Sequence, residues 1–127
     1  MNERETNNKP NPLKDKSFQF ALKIVQLYKF LTEEKREYIM SKQLLRSGTS
    51  IGANIREGQN AQSKPDFIHK FSIAQKECDE TLYWLELLHQ SDFLEDMKFN
   101  SIHSDANEIL KMLRSSILTT KQNIHNS

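Results

Sequence analysis

The side chains best suited to bind a metal are a carboxylate and an imidazole at helical spacing. Glu86 and His89 stand three residues apart in Glu86-Leu-Leu-His89. On a helix that spacing puts both groups on one face, where together they can hold one metal ion of a di-metal bundle site. A complete site needs two such pairs and two further glutamates. The nearest second pair, Asp66-Phe-Ile-His69, falls several turns earlier on the same predicted helix. His103 is preceded at the matching position by Asn100, which is not an acid. No metal and no other cofactor is expected. Cys78 sits on an apolar stripe with no His or second Cys placed to activate it, so it reads as a small buried hydrophobe. Ser47, Thr49 and Ser50 resemble a hydrolase cluster only in composition, without a nucleophile elbow or Ser-His-acid pattern. Gly48 and Gly52 lie inside a helical pattern with no preceding strand, so they form no phosphate-gripping loop. These patterns point away from an enzyme.

Polar and aromatic residues at helix borders point instead to packing and partners. Arg46 and Asn54 flank the apolar face of one predicted helix, and Glu77 and Glu80 border the stripe of the next. An unpaired polar group near a core costs about 1–3 kcal/mol. Inter-helix bonds joining Arg46 or Asn54 to Glu77 or Glu80 are therefore expected. Tyr83 and Trp84 are adjacent, so one helix cannot bury both on one side. One of them is left for a partner surface, where Tyr and Trp are common anchors.

The segment Leu44–Gly58, LLRSGTSIGANIREG, carries the strongest packing signal. Leu44, Leu45, Ile51 and Ile55 lie on one broad helix face, and Gly48 and Gly52 sit one turn apart on that side. A glycine in a helix interior costs roughly 1 kcal/mol relative to alanine. Its recurrence predicts close approach of another helix, so Gly52→Leu is expected to overpack that contact.

Four helices are predicted, over about 17–31, 37–60, 64–91 and 98–122. The first has Ser17 as its N-cap and Phe18, Ala21, Leu22, Val25, Tyr28 and Leu31 as its inward face, with Thr32–Arg36 as a turn. The second includes Tyr38 and Ile39 on its apolar face. Ser63-Lys-Pro-Asp opens the third with a cap, a first-turn proline and an acid at the positive helix end. Its stripe runs Phe67, Phe71, Ala74, Cys78, Thr81, Leu82, Leu85, Leu88. The fourth carries Ile102, Ala106, Ile109, Leu113 and Ile117, with a frayed tail from Gln122. The fold class is all-α, an antiparallel up-down-up-down four-helix bundle. A polar arm at residues 1–14 is expected to be disordered, and residues 15–127 to form one domain.

The chain has 127 residues and a formal net charge of +1. Residues 1–63 carry eleven Lys/Arg against seven Asp/Glu, and residues 64–127 carry seven against ten. One cysteine allows no internal disulfide and suits a reducing compartment. No apolar run approaches the ~18 residues of a membrane span. The N-terminus lacks the apolar core of a signal peptide. A cytoplasmic protein with no membrane partner is expected.

LLRSGTSIGANIREG, followed by SKPDFIHKFSIAQKECDETLYWLELL at Ser63–Leu88 and preceded by SFQFALKIVQLYKFL at Ser17–Leu31, resembles the small bacterial proteins encoded within 23S ribosomal RNA intervening sequences. That family is related in fold to the accessory proteins of diversity-generating retroelements. The resemblance implies a four-helix bundle, a ring-like homopentamer with a central channel, and no enzymatic activity. It also implies, through the retroelement relatives, RNA or DNA binding by basic surfaces and a reverse transcriptase as a protein partner. Those relatives are basic, whereas this chain is nearly neutral. Two functions follow as expectations. One is a nucleic-acid-associated oligomer whose assembled ring binds phosphates through Lys14, Lys16, Lys23, Lys42, Arg46 and Arg56. The other is a protein-interaction scaffold that meets no nucleic acid.

Overall fold

The computed structural model describes residues 10–126. Among them are four helices and no strand: α1 Pro12–Glu33, α2 Met40–Gln59, α3 Lys64–Gln90 and α4 Asp96–His125. Residues 1–9 of the expected disordered arm lie outside the described residues. Residues 12–14 of that arm are helical, which corrects the expected start at Ser17. Asn11 supplies the cap, its Oδ1 accepting from the Lys14 backbone N–H at 3.2 Å, and Pro12 follows in the first turn. Asn-Pro is a complete helix start, since proline's missing N–H falls where no partner exists anyway. Ser17 is buried inside the helix and donates to the Lys14 carbonyl.

The inward face of α1 also differs from expectation. Leu13, Phe20, Ile24, Leu27 and Leu31 are buried, while Phe18 and Leu22 are 48% and 44% exposed. Both rows have helical spacing, so periodicity alone could not choose between them. The buried row extends one turn further, to Leu13, and thereby buries more apolar surface. Tyr38 and Ile39 are likewise exposed and precede α2. Glu37 displaces them from the helix start: its carboxylate accepts from the backbone N–H groups of Ile39, Met40 and Ser41 at 3.1, 3.0 and 2.7 Å. Burial pushes this carboxyl up, but the three backbone donors outweigh it and hold it below its ordinary value.

α3 begins as expected, with Ser63 Oγ accepting from the Asp66 N–H. Its stripe from Phe71 to Leu88 is buried, with Phe67 partly buried and stacked on Phe71. Ile102, Ala106, Ile109, Leu113 and Ile117 of α4 are buried too. The helix runs on through the expected frayed tail to His125, its end closed by the Asn126 N–H on the Gln122 carbonyl. Buried residues from all four helices form one apolar cluster. Each helix packs on its chain neighbour, and α1 closes on α4 over the shortest stretch. Arg46 meets Glu77 and Glu57 meets Lys70, while Lys16 meets Glu108 and Phe30 meets Lys98.

Candidate functional site

The seam between α2 and α3 holds the expected polar network, rearranged in one member. Arg46 donates to both Glu77 carboxylate oxygens at 3.2 Å and pairs closely with Glu80. Glu80 also accepts from the Trp84 indole N–H at 3.1 Å. That bond and the Arg46 guanidinium hold the Glu80 carboxyl below its ordinary value. The Glu80 and Glu77 bonds in turn raise Arg46. Beneath this pair, the Thr81 hydroxyl bonds to Ser47 Oγ at 2.9 Å in the buried interior. Of the two expected donors Arg46 makes these bonds; Asn54 donates its amide to the Ser50 carbonyl of its own helix. A short side chain next to a carbonyl one turn back finds that partner first.

The α3–α4 seam separates the two metal-binding candidates. Glu86 meets His103 at 3.0 Å and His89 meets Asp96 at 2.7 Å. The Phe99 ring lies between the two imidazoles, stacked on His89 with ring centres 4.0 Å apart. Among the described residues no group of three metal-binding side chains converges. Sequence spacing along one helix could not show these partners, because both come from α4. Cys78 is fully buried, its thiol donating to the Ala106 carbonyl at 3.2 Å. Burial pushes that thiol up to about 12, far from the thiolate a nucleophile needs.

The six basic candidates are dispersed. Lys16 pairs with Asp105 and Glu108, and Lys23 with Asp105, so both stitch α1 to α4. Arg46 is held by Glu77 and Glu80. Lys42 is exposed on α2. Lys14 and Arg56 border one cleft of about 420 Å³ between α1 and α2, which Phe18 and Gly52 also line. The Arg56 guanidinium stands 5.8 Å from the centre of the Phe18 ring. Among the described residues, no carboxylate pairs with Lys14, Lys42 or Arg56.

The glycines divide in a way their spacing did not show. A Cβ at Gly48 would lie 2.8 Å from the Ile24 side chain, and one at Gly58 would lie 2.6 Å from the Phe71 ring. At Gly52 it would lie 3.4 Å from the Ser17 carbonyl, an ordinary contact. Both glycines thus face α1: Gly48 in a tight approach to Ile24, and Gly52 at ordinary contact distance from Ser17, where it also lines the α1–α2 cleft. Of the two adjacent aromatics, Trp84 is partly buried against the core and bonded to Glu80, and Tyr83 is 56% exposed, its ring edge-on to Trp84.

The family model of the 23S rRNA-intervening sequence proteins matches residues 11–115, which covers α1 to α3 and the first two thirds of α4. The chain belongs to this family. Among solved structures it is similar to a family relative, a protein with unknown function from the S23 ribosomal protein family of Bacteroides thetaiotaomicron. The two are 57% identical, with a TM-score of 0.82, over 83% of this chain and 97% of that one. No protein of curated function matches the chain. Family membership therefore carries the fold and a link to ribosomal RNA genes. No described helix is long and apolar enough to cross a membrane.

Proposed function

We propose that this family member is a non-enzymatic cytoplasmic bundle protein that assembles with itself and associates with RNA or DNA. Residue numbers run in opposite senses along every packed helix pair, which supports an antiparallel up-down-up-down bundle. The observation that carries self-assembly is Tyr83, a large aromatic left more than half exposed beside Leu87. Burying such area between subunits is favourable by ~25 cal/mol per Å². The pentamer number comes from the resemblance to ring-forming relatives. A ring would gather basic groups that one chain disperses, and a reverse transcriptase is the protein partner that the same resemblance suggests.

The phosphate-facing set narrows to Lys14, Lys42 and Arg56, because Lys16, Lys23 and Arg46 already serve carboxylates. Phosphate contacts release counterions, so log affinity falls by about 0.7–0.9 per contact for each unit of log salt. The test is a salt titration of binding to generic duplex and single-stranded RNA and DNA. Replacing Lys14, Lys42 and Arg56 by Ala is expected to flatten the slope by about two to three contacts. An oligomer with no salt-dependent affinity for any of these probes would identify a protein scaffold instead.

A further inference from the structure

The shortest seam of the bundle carries an apolar hollow. Midway along it, Lys16 and Lys23 of α1 are tied to Asp105 and Glu108 of α4. Toward the turns the same two helices flank an open hollow of about 480 Å³. That size falls within the ~300–1,000 Å³ of small-molecule sites. Leu27 and Phe30 of α1 face Met97 and Ile102 of α4 across it. Leu27 and Ile102 are buried and form the floor, Phe30 is partly buried, and Met97 is 79% exposed at the rim. A methionine there makes an adaptable wall, since its unbranched thioether follows irregular shapes.

The hollow is a trough. Lys23 and Phe30, both on its α1 side, lie seven residues apart, or about 10 Å along the helix. Its neutral hydrogen-bonding side chains are Gln26 and Ser101, and both are exposed. No set of buried polar groups converges there to orient a sugar or a base. Such a trough suits an extended apolar chain.

Charge sets the head group. At one end the Lys23 ammonium is answered by Asp105. At the other, the Lys98 ammonium stands 3.6 Å from the centre of the Phe30 ring and the Lys35 ammonium 5.8 Å from it. Among the described residues no carboxylate pairs with either, so their N–H donors are not spent on an acid. The first turn of α4 adds the same sign: its start at Glu95 has no side-chain cap, and Met97 and Lys98 lie in it. Against these stands Glu95, the one carboxylate among the lining residues; Asp96 is taken by His89. Two ammonium groups and an uncapped helix start outweigh one carboxylate.

We propose that the α1–α4 hollow binds a straight-chain carboxylate of medium length. The chain lies against Leu27, Phe30, Met97 and Ile102, and the carboxylate meets Lys98 at the start of α4. The Lys98 ammonium leaves the Phe30 ring for the carboxylate, and the chain covers the ring in its place. The site is independent of the nucleic-acid and self-assembly readings, since it uses neither Tyr83 nor Lys14, Lys42 and Arg56.

The test titrates the full chain with sodium hexanoate, octanoate and decanoate, and with octanol and octylammonium chloride as head-group controls. Calorimetry reads affinity, and methyl NMR reads location. Saturable binding at one site per chain is expected, with the methyl signals of Met97, Leu27 and Ile102 shifted and those of Ile51 and Ile55 unmoved. Each buried methylene is worth about fourfold in affinity, so octanoate is expected to bind about fifteenfold more tightly than hexanoate. Octanoate is also expected to bind more tightly than octanol or octylammonium. Ser101 and Lys98 are exposed, so Ser101→Trp and Lys98→Glu are expected to keep their helical circular dichroism. Ser101→Trp fills the hollow and is expected to weaken octanoate at least tenfold; Lys98→Glu is expected to reverse the preference in favour of octylammonium. No saturable binding of any carboxylate, or no gain with chain length, overturns the site. Octanol or octylammonium binding wild type as tightly as octanoate overturns the head group. Octanoate binding unchanged by Ser101→Trp, or methyl shifts confined to other residues, overturns the location; the wild-type shifts decide this even where a variant fails to fold.

Discussion

At the scale of single residues, the three glycines show how one residue type answers to different neighbours. Gly48 and Gly58 exist because Ile24 and Phe71 occupy the space a Cβ would take. Both neighbours are buried, so neither can swing away. Overpacking a core costs typically ~1–3 kcal/mol, against which alanine recovers up to ~1 kcal/mol of helix propensity. Gly48→Ala and Gly58→Ala are therefore each expected to lower stability by about 1 kcal/mol. Gly52→Ala meets no such crowding and is expected to raise stability by up to ~1 kcal/mol. Urea midpoints at one fixed protein concentration check this, since self-association also moves the midpoint. A Gly52→Ala chain less stable than Gly48→Ala would reverse the reading of the cleft. At Gly52→Leu the Cβ already touches Ser17 of α1, so the expected overpacking falls on the side-chain atoms beyond it. Sequence spacing placed all three glycines on helix two but could not say which had a side chain against it, because that partner is set by the rotation of α1 and α3.

At the scale of elements, legibility followed the number of apolar rows a helix carries. α3 has one dominant stripe and a Ser63-Lys-Pro-Asp start, and both its start and its buried face were read correctly. α4 has one heptad-like row and was also read correctly. α1 has two, and periodicity does not say which meets the core; the Asn11-Pro12 start falls within the polar arm expected to be disordered, where composition hides it. In the polar network, Arg46, Glu77 and Glu80 were legible as border residues, whereas the Glu86–His103 and His89–Asp96 pairs needed the register between α3 and α4. The start of α2 was missed for a related reason. Ser, Thr, Asp and Asn are the usual caps, and here a Glu three residues upstream of Met40 reaches forward to three backbone donors. The folded carboxyl is held lower than the unfolded one. Its contribution is therefore fully present at neutral pH and is lost as pH falls through and below the ordinary carboxylate range. Glu37→Gln is expected to cost about 1 kcal/mol at pH 7 and progressively less in acid. Thermal melts of both chains from neutral to acid pH check this. A difference that stays constant into strong acid would show that Glu37 does not act through its charge.

At the scale of the whole molecule, the four seams are unequal. The α2–α3 seam combines buried apolar contacts with the Ser47–Thr81 bond and the Arg46 network. The α1–α4 seam is the shortest, and its polar contacts are Lys16 and Lys23 with Asp105 and Glu108. Lys23 is half exposed, and exposed ion pairs contribute about 0–1 kcal/mol each and weaken with salt. The bundle is thus expected to open first where α1 leaves α4, with α2 and α3 forming the last cooperative unit. Native-state hydrogen exchange tests this. Backbone amides in the middle of α3 are expected to exchange only through global unfolding, and those of α1 through a lower-energy opening. Raising salt from low to near-molar is expected to widen that gap, because it screens the lysine pairs and leaves buried contacts in place. The element predicted to open most readily also lines the α1–α4 hollow through Leu27 and Phe30, so octanoate seated there is expected to raise the protection of α1 far more than that of α3. Equal protection of all four helices, unchanged by salt, would show that the α1–α4 seam is as strong as the others and that the lysine pairs there contribute nothing.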